Sequence, residues 1–363
     1  MNKILFIATH RIDSAPGQRF RFEQYFNFLE QNGFSCTLSS LIRTPKEHEI
    51  FYGNDVINKI RIGIAMGLRR LNDILHRQEY DIIFVAREAF VTGGVFFERA
   101  LKKSNAKLVY DFDDAIWIDV ISEKNRVFAW LKDGGKTKQI IGLADLVIAG
   151  NEYLAQYARP FNSHVVTIPT TINTDVYRPR YHLHDQPIVI GWSGSHTTID
   201  HFRTALPALT LLKEKYGNRI KIRVIGDANF RHEQLSISGM PWRRECELED
   251  LWPIDIGIMP LPDNEWTSGK CGLKGLQYMA LEIPTVMSPV GVNSQILQEG
   301  VSGFFASSSA QWVEKISHLI EHDDLRLRIG KEGRKIVETR FSVNSQKENY
   351  LTNFENLLAN KPR

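Results

Sequence analysis

Residues 269–293 read GKCGLKGLQYMALEIPTVMSPVGVN, and this stretch decides how the chain folds. Gly269, Gly272 and Gly275 keep the backbone bare around Lys270 and Lys274. The spacing of Leu276, Met279 and Ala280 predicts a helix over 271–280. Pro284 then restarts the chain into a short apolar run, Thr285–Met287, that reads as a strand. A helix followed at once by a buried strand is the repeating unit of a parallel sheet covered on both faces. A glycine-rich helix start with two lysines also suits a diphosphate, because backbone amides and mobile ammonium groups converge there. Close packing of the helix, with solvated lysines, is the plainer reading of the same glycines.

The same alternation extends in both directions. Strands are expected at 3–9, 35–41, 81–86, 107–110, 145–149 and 165–168, then again at 187–192, 221–225 and 254–259, with helices between them, including 19–31 and 198–216. The stretch 173–187, NTDVYRPRYHLHDQP, is polar and punctuated by proline. It separates a first domain, 1–178, from a second, 187–340, with a linker at 179–186; His182 and His184 in this stretch read as solvated rather than metal-binding. The fold class expected is α/β, with two tandem Rossmann-like parallel-sheet domains facing a cleft. Ligands of such folds bind at the carboxyl ends of the strands.

The chain has 363 residues, more than one core comfortably holds, and its 43% apolar and 24% charged residues are ordinary for a soluble protein. No segment approaches the ~18 apolar residues needed to span a bilayer. MNKILFIATH has too short an apolar run for a signal peptide. Cys36, Cys246 and Cys271 lie far apart without metal-ligand spacing, which points to a reducing, cytoplasmic setting. Residues 1–110 hold 16 Lys/Arg against 11 Asp/Glu. Within them, 56–75 places Ile57, Ile60, Ile64, Leu68 and Leu71 at helical spacing among Lys59, Arg61, Arg69 and Arg70. Two readings stand: a basic helix resting peripherally on an anionic membrane, or, the commoner outcome, an amphipathic helix facing the core. The near-neutral overall charge excludes a nucleic-acid role.

Three further stretches carry chemistry. LVYDFDDAIW, 108–117, ends a strand with Asp111, Asp113 and Asp114, which suits a magnesium site, a phosphoryl-accepting nucleophile or a metal-free ligand contact. RIDSAPGQRFRF opens a helix after the first strand through Gly17, with Arg19 and Arg21 adding positive charge near its amides. IGWSGSHTT repeats this at the start of the second domain, with Gly194 and Ser195 in the turn.

The pattern GKCGLKGLQYMALEIPTVMSPVGVN resembles the donor-binding motif of the family-4 retaining glycosyltransferases, which have the GT-B fold. That motif carries two glutamates eight apart around F-G-L/I-P, then E-A-M-A-x-G-x-P-V-V. Gly272-Leu273, Met279-Ala280 and Pro284 take the places of its G-L, M-A and proline. The glutamates fall on Gly269 and Gln277, and Trp192 and Thr197 stand where the family has an Arg and a Lys. PGQRFRFEQYFNFLEQNGF, LADLVIAGNEYLAQYA and VVTIPTTINTDVYRP extend the likeness. LVYDFDD aligns Asp113 and Asp114 with a His-Asp/Gly pair that touches the donor sugar. By the same analogy the last helix, about 343–360, packs back on the first domain.

The resemblance implies a retaining, metal-independent transfer of a sugar from a nucleotide-diphosphate sugar to a glycan or lipid-linked acceptor, in cell-surface polysaccharide or glycolipid assembly, with no cofactor. Asp113, Asp114 and Lys270 are the expected catalytic residues. Gly17, Arg19, Gly194, Ser195, Lys270, Gly272, Lys274 and Gln277 are expected to bind the diphosphate and nucleotide. Two rivals remain: a non-catalytic sugar-nucleotide or glycan-binding relative, and a haloacid-dehalogenase-type phosphatase using Asp111, Asp113 and Mg²⁺.

Overall fold

The structure is a computed structural model that describes residues 1–53, 55–91, 93–118, 135–180 and 187–359. His182 and His184 lie outside the described residues. The chain forms two compact units, Met1–Pro169 with Lys347–Arg363, and Thr170–Gln346.

In the first unit, β1 (Asn2–Ala8), β2 (Phe34–Ser40), β3 (Ile82–Ala86), β4 (Lys107–Phe112), β5 (Leu146–Ala149) and β6 (Val165–Thr167) form one parallel sheet in the order β2-β1-β3-β4-β5-β6. Every residue of β3 and of β5 is buried, which is why these strands read as unbroken apolar runs. The helix expected over 19–31 is broken into a turn of helix Pro16–Arg19, a 3₁₀ turn Glu23–Tyr25 and a helix Phe26–Gln31. The cause is burial. Gln18 to Glu23 are all buried, and a surface helix buries only one stripe.

At the centre of this segment Arg21 donates from Nε to Asp111 Oδ2 at 3.3 Å and from Nη1 to the Ile168 carbonyl, and its Nη2 pairs with Asp111 Oδ1. The helix Val343–Ala359 covers the same region from Lys347 onward. Its Tyr350 hydroxyl donates to the Arg21 carbonyl at 3.0 Å, and its ring lies 4.5 Å from Tyr25.

The helix Val56–Leu75 corrects the core-facing expectation. Ile62, Met66, Arg70 and Asp73 form its buried face, packed with Leu41 and Ile42. Ile57, Ile60, Ile64, Leu68 and Leu71 point the other way and are exposed. Arg70 and Asp73 reach the interior as a pair at 2.9 Å, with Arg70 also donating to the Ala8, Ser39 and Ala89 carbonyls. A pattern of apolar residues on one face therefore coexists with a second, partly ionic, buried face.

In the second unit, β7 (Ile188–Ser193), β8 (Ile220–Ile225), β11 (Ile256–Met259), β12 (Thr285–Met287) and β13 (Phe304–Phe305) form a parallel sheet in the order β13-β12-β11-β7-β8. A short antiparallel hairpin, β9 (Arg231–His232) with β10 (Ile237–Ser238), forms a separate ladder packed at the end of β8, where the Met240 amide donates to the Val224 carbonyl. The helix expected over 198–216 is split at Thr204–Ala205, just ahead of Pro207 at the start of the helix Leu206–Tyr216. The unit boundary falls at Pro169, ahead of the 178 set from composition. Ile172 and Val343 exchange backbone hydrogen bonds with Phe341 and Ile172, and Arg334 donates to the Thr174 and Tyr177 carbonyls. These bonds fix 172–177 to the second unit.

Removing one partner of a buried ion pair strands a charge. Asp111→Ala is therefore expected to lower the stability of the first unit by about 3–5 kcal/mol, measured by urea denaturation. The double variant Arg21→Met/Asp111→Leu should recover most of that loss. Equal loss in single and double variants would show that the pair is not what holds this segment.

Candidate functional site

Counted along the chain, the first sheet has the strand order 2-1-3-4-5-6 and the second, its hairpin aside, 2-1-3-4-5, so each has a switch point beside its first strand. Loops diverge there and leave a crevice at the carboxyl ends of the strands. The sequence-derived residues gather at these two edges.

In the first unit the edge is built by the ends of β1, β3 and β4. Arg87, after β3, holds Asp113, after β4: its Nε donates to Asp113 Oδ1 at 2.7 Å, with Nη2 at 2.7 Å from the same oxygen. Gly17 lies against this pair. A Cβ there would stand 3.1 Å from Asp113 Oδ2 and 3.2 Å from Arg87 Nη2, so glycine lets the turn approach the carboxylate. Arg87 adopts φ +63°, a left-handed conformation that costs a non-glycine residue of order 1–3 kcal/mol and gathers at functional sites.

His10, after β1, completes this edge. The Tyr52 hydroxyl lies 3.4 Å from His10 Nε2, and the two rings stack at 6.2 Å. Burial, with His48 and Arg87 nearby, pushes the His10 pKa down to about 4. Arg19 is buried, with its guanidinium 4.3 Å from the Phe20 ring centroid and 3.8 Å from Asp13. Asp114 Oδ1 accepts from the Ala115 amide at 3.1 Å.

Asp111 is different. It is buried and gripped by Arg21, and desolvation still raises its pKa above the ordinary carboxylate value. A carboxylate enclosed in this way is not open to a phosphate ester, which removes the nucleophile of the phosphatase reading. Among the described residues, no group of three or more His, Cys, Asp or Glu is placed to hold a metal ion.

In the second unit the edge is built by the end of β7 and the segment 264–280. Asn264 caps the single turn Glu265–Ser268 by accepting from the Thr267 amide at 3.0 Å, and this fixes Trp266. Lys270 Nζ lies 3.8 Å from the Trp266 ring centroid, a cation–π contact. Lys274 Nζ lies 5.7 Å from the Trp192 ring, which is buried at the end of β7. The His201 ring meets Trp266 edge-to-face at 5.2 Å. Burial first, then Lys274 and Lys270, push the His201 pKa down to about 4, so the ring is neutral at pH 7.

Glycines seat this machinery. Gly272 has φ +71° at the N-cap of the helix Leu273–Ala280, and a Cβ there would meet Ile296 Cδ1 at 2.1 Å. A Cβ on Gly194 would strike the Trp192 ring at 2.2 Å. Close packing therefore accounts for both glycines while the lysines stand beside them. Ser195 caps the turn 196–198, with its hydroxyl 2.8 Å from Thr197 Oγ1. The Tyr278 hydroxyl accepts from the Ser193 amide at 2.7 Å and ties the helix to β7.

Gln277 is buried, and its Nε2 donates to Glu247 Oε1 at 3.1 Å and to the Tyr177 hydroxyl at 3.2 Å. Tyr177 and Trp242 donate to the same Glu247 carboxylate, at 2.6 Å and 3.1 Å. The amide nitrogen of Gln277 is thus engaged inside the unit. Sequence reasoning missed His10, Arg87, His201 and Glu247, which lie far along the chain from the residues they serve, and Trp266, which stands four residues before the Lys270 it holds.

The two histidines set a pH dependence. An unfolded histidine takes up its proton near 6.5, the folded His10 and His201 only near about 4. The unfolded state therefore binds more protons between those values, and stability falls as pH drops from 6.5 toward 4. Thermal unfolding across that range should show this loss, and His201→Asn should flatten it for the second unit. An unchanged slope would place the proton uptake elsewhere.

Comparison with known proteins bears on the fold and on the second unit. Residues 187–322 match the family model described as "Glycosyl transferases group 1". Spore coat protein SA of Bacillus subtilis is 30% identical over 82 residues, and the match spans only 22% of either chain. Sucrose-phosphate synthase from Thermosynechococcus elongatus aligns with 99% of this chain and 100% of its own, at a TM-score of 0.72 and 13% identity. HepE of Anabaena, solved with UDP and glucose, aligns over 98% of this chain and 100% of its own, at 0.68 and 14%. Starch synthase IV from Arabidopsis thaliana, solved with ADP and acarbose, aligns over 99% of each chain, at 0.68 and 11%. Identities this low speak for the fold. Residues 187–322 are thus similar to the group 1 glycosyltransferases, and over its length the chain has the GT-B fold of the glycosyltransferase structures it resembles.

Proposed function

We propose that the protein transfers a sugar, with retention at the anomeric carbon, from a nucleoside-diphosphate sugar to an acceptor hydroxyl on a glycan or lipid-linked carrier. The setting is the cytoplasmic assembly of a cell-surface polysaccharide or glycolipid. The observation that carries the reading is the placement of Lys270 and Lys274 over Trp266 and Trp192 at the start of the helix Leu273–Ala280. Departure of the sugar leaves charge on the diphosphate, and cations already in place lower the barrier as that charge develops. The first amides of a helix add to the same field. With two ammonium groups doing this, no metal is required.

The second unit handles the donor and the first the acceptor. Asp113, with Asp114, accepts the proton or the sugar hydroxyls, and Gly17 and Arg19 complete that edge. Arg87 fixes the direction of the Asp113 carboxylate through the 2.7 Å contacts. Gln277 faces Glu247 through its Nε2, which leaves Oε1 as its group for a nucleotide ribose.

A second reading, a non-catalytic sugar-nucleotide binder, is favoured by Gly269, which has no side chain where the family carries a glutamate. Both readings need the nucleotide site; only the first needs turnover.

Calorimetry with UDP, GDP, ADP and dTDP, in EDTA and then in Mg²⁺, separates these. UDP is the first to try, since HepE was solved with it. One nucleotide should bind in EDTA, and Lys270→Ala should weaken it at least about tenfold, the value of one charge-assisted contact. Binding with no sugar transfer from the matching donor would give the second reading. No binding of any nucleotide would end both.

A further inference from the structure

The helix Val56–Leu75 carries six large aliphatic side chains, Ile57, Ile60, Ile64, Leu68, Leu71 and Leu75, each between 44% and 76% exposed. From Ile57 to Leu75 they recur at steps of three and four that average the 3.6 residues of one turn, so the stripe runs straight along the axis. It is about 27 Å long at 1.5 Å per residue. The opposite face is used by the fold, and among the described residues nothing in the first unit covers this stripe. Soluble proteins rarely expose a contiguous apolar patch of this extent unless something covers it.

Charge decides what covers it. The helix has one acidic residue, Asp73, and it is buried against Arg70. Along its length the exposed surface therefore offers apolar groups, Arg61 and Asn72 without a carboxylate; the N-cap Asp55 at its start is the acidic group nearest the stripe. The flanking segments add exposed bases, Arg43 just before the helix Pro45–Tyr52, Lys46 on it and Arg99 on Phe96–Lys102, against one exposed acid, Glu49, so the rim is net basic; Phe96 is itself 66% exposed. A second copy of this chain is a poor partner. Two-fold pairing sets the same patch against itself, basic rim on basic rim, and a coiled-coil pair needs a 3.5-residue stripe that winds around the axis. A flat, negatively charged, apolar-cored surface matches both the straight stripe and its rim.

We propose that this face docks the first unit on an anionic phospholipid bilayer, with the aliphatic stripe at the acyl boundary and Arg61 among the headgroups. The helix starts four residues after Tyr52, which stands against His10. The segment leading into the helix thus starts at the carboxyl edge that the sugar-transfer reading assigns to the acceptor. A lipid-linked acceptor would reach that edge without leaving the membrane. The docking itself does not depend on the sugar-transfer reading.

The test is co-sedimentation of the full chain with sucrose-loaded vesicles of phosphatidylcholine, with and without phosphatidylglycerol. Wild type should bind the phosphatidylglycerol vesicles, less tightly as salt rises. The variant Ile60→Ser/Ile64→Ser/Leu68→Ser should bind at least tenfold more weakly, and Arg61→Glu several-fold more weakly. Both variants should keep the wild-type melting temperature and nucleotide affinity, because the altered side chains are exposed. Wild type that stays in the supernatant overturns the proposal, as does a serine variant that binds as well as wild type. A wild-type dimer that the serine variant makes monomeric, with no vesicle binding, would give the face to a second copy. Vesicle binding without nucleotide binding would leave this proposal standing and remove the sugar-transfer reading; the reverse result would do the opposite.

Discussion

A parallel sheet buried on both faces leaves its polar chemistry one main outlet, the carboxyl edge where loops diverge. Both units of this chain obey that constraint. In the first, the residues that follow β1, β3 and β4 bring His10, Arg87 and Asp113 together although they are up to 103 positions apart in sequence. In the second, the end of β7 and the loop after β11 bring Trp192, Trp266, Lys270 and Lys274 together. The ion pair Arg21–Asp111 is the exception that serves the frame: it fastens the segment 18–23 under the sheet edge and presents Gly17 to Asp113.

The second unit departs from the donor-site pattern of the glycosyltransferases whose motif it resembles, and the geometry shows a consistent local substitution. Trp192 stands where an arginine is usual, and its buried ring lies beneath Lys274. Trp266 does the same for Lys270. Aromatic faces position ammonium groups without adding negative charge, which suits a site meant for an anionic ligand. His201, packed on Trp266, stays neutral because burial and the two lysines oppose its protonation. The carboxylate that the motif lacks at Gln277 is met inside the unit by Glu247, which reaches it from a separate helix with Tyr177 and Trp242 as further donors.

Much of this was legible in the sequence, and the limits have physical causes. Strands such as Asp81–Ala86 and Thr285–Met287 were readable because full burial leaves an unbroken apolar run, and they lie within a residue of their expected positions. The helix over 19–31 was not, because its apolar spacing conceals that Arg21 and Glu23 are buried as well. The helix 56–75 was readable as a helix but not as to its facing. Periodicity identifies a stripe and says nothing of which side meets the core, and Arg70 with Asp73 disguised the buried face as polar. Lys270 and Lys274 stood out because glycines surround them. Arg87, His201 and Glu247 carry no local signature, since their roles come from partners distant in the chain.

On the sugar-transfer proposal, the second unit's carboxyl edge receives a diphosphate between Lys270 and Lys274. A crystal structure of the protein with its tightest-binding nucleoside diphosphate tests this most directly. The phosphates are expected within hydrogen-bond reach of both ammonium groups, at the first turn of Leu273–Ala280, with no metal ion between them. Phosphates found elsewhere in the second unit, or at Asp111 and Asp113 with a divalent cation, would contradict it.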